Sequence, residues 1–433
     1  MKTKKIWLSL AQMSGHEMEF VQEAFDSNWV APMGPNVNEF EKSLQQYLAN
    51  KDNPSQQVVA LSSGTSALHL ALLQMGVGVG DEVICQSFTF AATANVIRYL
   101  GAKPVFVDSE SSTWNISPEY LVQAIEWRLA VTGQLPKAII FVNLYGMPAQ
   151  IDKLKEISEK YCIPLLEDAA ESLGSEYKNE KCGTFGDFGV ISFNGNKIIT
   201  TSGGGALICK TEAVAKKTLF YATQARENEV YYQHKEVGYN YRLSNVSAGI
   251  GRGQLMALDK FVEIRRRNHD LYTRLLANIS GITVQQNPSN DYNSNFWLTC
   301  ILIDSEKFGK TPDQIRELMD SEEIETRPLW KPMHLQPVFE KFPYCGDGIS
   351  ENLFKTGLCL PSGVAVTSED IYRIVEIILT DYPPVEKKIS QRHKDIDVRY
   401  RPKKKVENNL QPRWIRQFLL NNTLLVKMFN LLP

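Results

Sequence analysis

Between about residues 55 and 210 the chain alternates short apolar runs with longer stretches whose apolar positions recur every three or four residues. The runs Gln57–Leu61, Glu82–Cys85, Pro104–Asp108, Ala138–Val142 and Ile163–Asp168 predict strands. Their near-continuous apolar character fits a sheet covered on both faces. The stretches Ser66–Met75, Thr93–Leu100, Pro118–Leu129 and Ile151–Tyr161 predict the intervening helices. Ser117 is an expected N-cap, with Pro118 at the first helical position. Such alternation implies parallel crossover units and an α/β domain. Gly189–Phe193 and Ala206–Cys209 follow without a long helix between them, so these strands are open to an antiparallel arrangement.

Beyond this region Val246–Ala257 predicts a helix, and Leu258–Ile279 a long, charged, amphipathic one. Residues 280–384 mix a strand pattern at Phe296–Ile303 with helices at Asp313–Met319 and Glu369–Thr380. Thr311-Pro312-Asp313-Gln314 has the form of a capping box. The expected division is a large α/β domain over 1–256, a smaller α+β domain over 257–384, and a tail over 385–433.

Composition narrows the function classes. Of 433 residues, 43% are hydrophobic and 22% charged, which excludes a wholly disordered chain, a collagen-like repeat and a disulfide-stapled miniprotein. The net charge of −2 conceals a split. The tail carries 12 Lys and Arg against 4 Asp and Glu, leaving the preceding 384 residues at −10. Its basic cluster Arg399–Lys405 precedes an amphipathic segment over 412–432 that suits an anionic membrane surface, docking on protein, or a disordered end. An acidic body without a reading motif argues against nucleic-acid binding. No signal-peptide core or membrane-span pattern stands out, and the seven widely spaced cysteines form no C-x-x-C pair. The expectation is a cytoplasmic protein with reduced, mostly buried thiols, no metal site, and peripheral membrane contact through the tail as an option.

Four segments carry candidate chemistry. Ser62-Ser63-Gly64-Thr65-Ser66 joins a strand to a helix, where small residues let backbone N–H groups meet an anion. Glu167-Asp168 ends an apolar strand, and the carboxyl ends of parallel strands are where such sheets bind ligands. Ser192-Phe193-Asn194-Gly195-Asn196-Lys197 sets one lysine between a strand and the run Gly203-Gly204-Gly205, a setting in which partial desolvation makes an amine nucleophilic. Gly238-Tyr239-Asn240-Tyr241-Arg242 precedes a helix that Ser244 or Asn245 would cap. By contrast, Gly76–Asp81 follows a helix rather than a strand and reads as a turn, and His69 on an apolar helix reads as a core histidine.

In order and spacing these motifs (S-G-T-x-A-L, G-D-E-V-I with T-F-x-A-T-A-N, A-K-P-V-F-V-D, E-D-A-A, S-F-x-x-x-K with T-x-x-G-G, and G-Y-N-Y-R) resemble the DegT/DnrJ/EryC1/StrS family of sugar-nucleotide aminotransferases, over residues 8–382. The resemblance implies a type I aminotransferase fold: a large, mixed, mostly parallel sheet flanked by helices, plus the smaller C-terminal domain. It implies pyridoxal 5′-phosphate (PLP) as cofactor, with residues 1–256 as the PLP-binding domain. It assigns Lys197 to the lysine that bonds the cofactor and then shuttles a proton, and Asp168 to the partner of the pyridine nitrogen. It assigns Phe90 to stacking on the ring, and Gly64, Thr65 and Ser192 to the phosphate cradle with Ser66 beside them. Glu171 stands near the ring where many members carry His or Gln. Asn240 matches an asparagine reaching the phosphate from a neighbouring subunit, which implies a homodimer.

The stretches Phe193–Gly205, Thr223–Asn228, Ile324–Lys331 and Cys359–Gly363 resemble the family's bacillosamine-pathway branch. That branch implies transfer of an amino group from L-glutamate to C4 of a UDP-linked 2-acetamido-2,6-dideoxy-4-keto sugar. Arg327 and Lys331 are then candidates for the diphosphate, since cationic donors match phosphate oxygens. A GDP- or dTDP-linked ketosugar is the alternative substrate. A non-transaminating PLP-fold protein is a further alternative, against which Lys197 speaks.

Overall fold

The computed structural model describes residues 4–49, 56–380 and 382, so the tail expected over 385–433, with its membrane reading, lies outside the described residues. The described residues up to Thr380 belong to one compact unit. Among the described residues no helix is long and apolar enough to cross a membrane.

Seven early strands form where the apolar runs place them: β1 (Gln57–Leu61), β2 (Glu82–Gln86), β3 (Lys103–Val107), β4 (Ala138–Val142), β5 (Leu165–Asp168), β6 (Phe188–Ser192) and β7 (Gly205–Cys209). The sheet order is β1-β7-β6-β5-β4-β2-β3, with a short strand from further along the chain, Tyr344–Cys345, pairing in parallel on β3. Pairings among β2 to β6 are parallel, whereas β7 is antiparallel to both β6 and β1. One reversed strand therefore makes the sheet mixed, as the missing crossover helix before β7 allows.

Helices cover both faces. They are α1 (Glu17–Asp26), α2 (Pro35–Leu48), α3 (Gly64–Gln74), α4 (Ala91–Tyr99), α5 (Pro118–Thr132), α6 (Ile151–Tyr161), α7 (Glu212–Ala222), α8 (Asn245–Leu255) and α9 (Leu258–Leu276). Because successive strand residues point to opposite faces, Ile139 and Phe141 pack with Leu121, Ile125 and Leu154 of α5 and α6. Ile140 packs with Leu68 and Leu72 of α3 and Ile97 of α4. The apolar strands are continuous because both faces are dry. Ser117 Oγ accepts the Tyr120 N–H ahead of α5, with Pro118 in the first turn and Gly133 at φ 72° after the last. Ser244, not Asn245, caps α8. The sequence pattern did not mark α1, α2 or α7, whose helices the structure adds.

A second, four-stranded sheet has the order β8-β9-β12-β10, from β8 (Ile282–Val284), β9 (Thr299–Ile303), β10 (Arg327–Pro328) and β12 (Gly357–Leu360); Tyr344–Cys345 is β11. It packs with α10 (Pro312–Ser321), α11 (Ile349–Thr356) and α12 (Ser368–Ile378) in chain order. The capping box at Thr311 and Gln314 is formed in full. β9 begins three residues later than the apolar run suggests. Phe296 sits at φ 45°, a left-handed conformation that breaks the extended ladder just before it.

Candidate active site

The carboxyl ends of β1, β2, β5 and β6 converge on one cavity of about 400 Å³. Ser62 to Thr65 follow β1, Phe90 follows β2, Asp168 ends β5, and Lys197 lies in the loop between β6 and β7. This is the edge at which open α/β sheets bind ligands.

Lys197 is the centre. Its Nζ lies 3.2 Å from Glu171 Oε1 and 4.0 Å from the centre of the Trp297 ring. The lysine side chain is 12% exposed and that of Glu171 3%. The other Glu171 oxygen accepts the Tyr145 N–H at 2.7 Å. Burial pushes the Glu171 carboxyl up from its ordinary range, against the opposing pull of Lys197 and the Tyr145 amide. Asp168 is buried as well. Its Oδ2 accepts from Thr93 Oγ1 at 2.8 Å and its Oδ1 from the Ala170 N–H at 3.2 Å. Burial raises this carboxyl too, with Thr93, Ala170 and Lys197 opposing. Glu167 points to the other face of β5, where Asn143, Gly183 and Phe185 donate to it. The two adjacent acids thus divide into one structural anchor and one that faces the cavity.

The anion cradle is built from backbone. Ser63 caps α3 through the Ser66 N–H, leaving the Gly64 and Thr65 amides at the helix start, where no intrahelical acceptor exists. A Cβ on Gly64 would press on Ser192 at 3.3 Å, and one on Gly205 would collide with the Ser63–Gly64 backbone. Glycine at 64 and 205 is therefore what lets β1, β7 and the lysine loop close around a small anionic group. A nucleophilic amine, a buried carboxylate and an amide cradle in one cavity are the donor set a phosphorylated pyridine aldehyde needs, so the residues fit PLP.

The structure brings Gly64, Thr65, Phe90, Asp168, Glu171, Ser192 and Lys197 together as lining of this cavity. Ser66 does not line it; its hydroxyl is turned to Ser62 and Ser63 at the helix cap. Asn240 is exposed outside it, in a bridge with Thr223. Arg327 is exposed, paired with Glu325 at 2.8 Å, and borders a different cavity with Lys5, Trp7 and Arg316. Lys331 is exposed and lines neither. His69 is a core residue, as expected, with Nδ1 3.3 Å from Tyr241 Oη. Gly76 and Gly80 take positive φ in the turn the pattern predicts. Sequence reasoning missed Thr93, Trp297 and Trp330. Thr93 and Trp330 lie inside motifs already quoted, whereas Trp297 carried no signal beyond its place in the apolar run Phe296–Ile303.

The profile of the DegT/DnrJ/EryC1/StrS aminotransferase family matches residues 11–379. Among curated proteins, the chain is 48% identical over 389 residues to a protein of Bacillus subtilis (strain 168) named as a pyridoxal phosphate-dependent aminotransferase, EpsN, covering 89% of this chain and 98% of that one. It is 34% identical over 366 residues to GDP-perosamine synthase of Escherichia coli O157:H7, covering 84% and 95%. Among solved structures, a DegT DnrJ EryC1 StrS aminotransferase from Brucella abortus superposes with a TM-score of 0.78 at 29% identity, covering 86% of this chain and 96% of that one.

Proposed function

Because this chain belongs to the DegT/DnrJ/EryC1/StrS family of PLP-dependent sugar aminotransferases, we propose that it moves the amino group of L-glutamate to C4 of a UDP-linked 2-acetamido-2,6-dideoxy-4-keto sugar. The observation that carries the reading is the cluster of Lys197, Asp168 and Glu171 in one cavity with the Gly64 and Thr65 amides.

When bound, PLP supplies an electron sink that makes the bond to hydrogen beside a substrate nitrogen acidic. Lys197 would hold the cofactor through its amine, and as a free amine it would take up and return a proton at the substrate carbon. Asp168, oriented by Thr93, would pair with the pyridine nitrogen and keep it protonated. Its burial suits that task, since a carboxylate without water around it holds a proton partner firmly. Glu171 receives the Lys197 ammonium while the amine is free. The Gly64 and Thr65 amides and Ser192 would hold the phosphate, with Ser66 bonded to the Ser63 cap behind them. Phe90, 59% exposed at the cavity rim and 5.3 Å from the Trp330 ring, would cover the cofactor's ring face.

Asn240, exposed here, completes the cradle of a partner subunit in a homodimer. Arg327 and Lys331, both exposed, meet the diphosphate from outside the cavity. The division at residues 256/257 and 384 belongs to the same reading. A GDP-linked ketosugar is the second reading, favoured by the 34% identity to GDP-perosamine synthase.

The test uses purified full-length enzyme loaded with PLP. L-Glutamate is expected to discharge its yellow colour, and the UDP-linked 4-keto sugar to restore it with a 4-amino sugar nucleotide seen by mass spectrometry. Restoration by a GDP-linked 4-keto sugar alone would move the substrate to the second reading. No discharge by glutamate would sink the amino-donor assignment.

A further inference from the structure

Trp297 belongs to no motif above, yet it touches the lysine loop at two points. Its indole N–H donates to the Asn196 carbonyl at 2.8 Å, the peptide oxygen immediately before Lys197. Its ring face carries the Lys197 ammonium at 4.0 Å. The ammonium is thus held between the Glu171 carboxylate, from the turn after β5 of the large sheet, and an indole, from the approach to β9 in the second sheet.

The backbone that carries the indole is itself held. The Trp297 backbone N–H donates to Asn295 Oδ1 at 2.8 Å, and the Trp297 carbonyl accepts from Arg265 Nη1 at 2.6 Å. Arg265 is 1% exposed, and among the described residues no carboxylate pairs with it. Its guanidinium donates instead to the Trp297 and Ser362 carbonyls and to Ser9 Oγ. Ser9 Oγ in turn donates to the same Asn196 carbonyl at 2.9 Å. One buried cation therefore ties two separate donors onto the residue that precedes Lys197. Just before Trp297, the left-handed Phe296 is fixed by stacking on His269, ring centres 3.5 Å apart.

We propose that Trp297 is a positioning residue for Lys197: its indole face stabilises the free ammonium and its indole N–H fixes the lysine loop, with Arg265 holding the Trp297 backbone in place. The attraction between an ammonium and an indole face strengthens when water is excluded, and Trp297 is 3% exposed. The consequence for the reaction is that the displaced lysine stays within reach of the substrate carbon instead of swinging through other rotamers. This role rests on the reading of Lys197 as the reacting amine.

The test compares Trp297→Phe, which keeps a ring face, with Trp297→Met, which fills the space without one. In full-length protein before cofactor loading, acylation of Lys197 by acetic anhydride is followed by peptide mass spectrometry, with the exposed Lys216 as reference. Acylation needs the free amine, so loss of the ring face is expected to speed it about tenfold in the Met variant and leave the Phe variant within about threefold of wild type. In the loaded enzyme, the Met variant is expected to lose about tenfold in kcat with KM for glutamate changed less. Phe and Met variants that acylate alike would overturn the positioning role. A wild type that glutamate does not discharge marks failure of the functional reading, and the acylation contrast then still decides whether the indole holds the ammonium.

Discussion

Lys197 and Glu17 show what burial does to a charge when its partners differ. At Lys197 two buried carboxyls and an indole lie near one ammonium, and burial raises both carboxyls while the ammonium opposes it. At Glu17 burial would also raise the carboxyl, but hydrogen bonds win. The Ser14 and Gly15 amides donate at 2.6 and 3.0 Å, Gln254 Nε2 donates at 2.5 Å, and the value falls from 4.5 to about 2. The folded value is depressed, so its stabilisation is present above pH 4.5 and is lost as the pH falls toward 2. The shift corresponds to about 3 kcal/mol at neutral pH. Glu17→Gln is therefore expected to lower the urea midpoint at pH 7 and to converge on wild type near pH 2 to 3. Parallel loss in both proteins across that range would show that the carboxylate is not the group responsible.

Among the elements, α8 makes the clearest physical demand. Asn245–Leu255 contains Gly249, Gly251 and Gly253, which cost a helix ~1 kcal/mol each relative to alanine. The reason is close approach. A Cβ on Gly253 would meet the Glu17 backbone N at 2.6 Å and its Cα at 2.7 Å, at the start of α1, and one on Gly251 would meet the Phe40 ring of α2 at 2.8 Å. Backbone cannot swing aside as a flexible side chain does. Gly253→Ala is expected to destabilise by about 2 kcal/mol or more despite alanine's better propensity, read as a lower urea midpoint. The same contact links α8 to the Glu17 hydrogen bonds, so the glycine and acid variants are expected to be non-additive. Helices with this much glycine carry a weak periodic signal, yet α8 was legible from the Ser244 cap and the residues after it. Helices α1, α2 and α7 were not, because their polar-rich faces resemble a solvated loop until packing partners are known.

For the whole molecule, the exposed position of Asn240 outside its own chain's cavity argues the dimer prediction. If each site takes Lys197 from one subunit and Asn240 from the other, two inactive variants complement. Mixing equal amounts of Lys197→Ala and Asn240→Ala protein, after unfolding and refolding together, is expected to restore roughly a quarter of wild-type activity, because half the dimers are mixed and each holds one intact site. No recovery would place Asn240 in the same subunit's site or outside it. The sequence by itself determined the strand and helix order, the caps at Ser117 and Thr311, the parallel core, and the lysine, aspartate and glycine motifs. Each of these depends on residues a few positions apart, through periodicity, capping or backbone freedom. Tertiary structure alone decided which motif residues share the cavity. It turned Ser66 to the helix cap, left Arg327 beside Glu325, and put Trp297 against Lys197 across a separation that no local pattern encodes. It also separated Glu167 from Asp168, since adjacent residues on a strand face opposite ways and only the packing around the sheet determines which face holds the site.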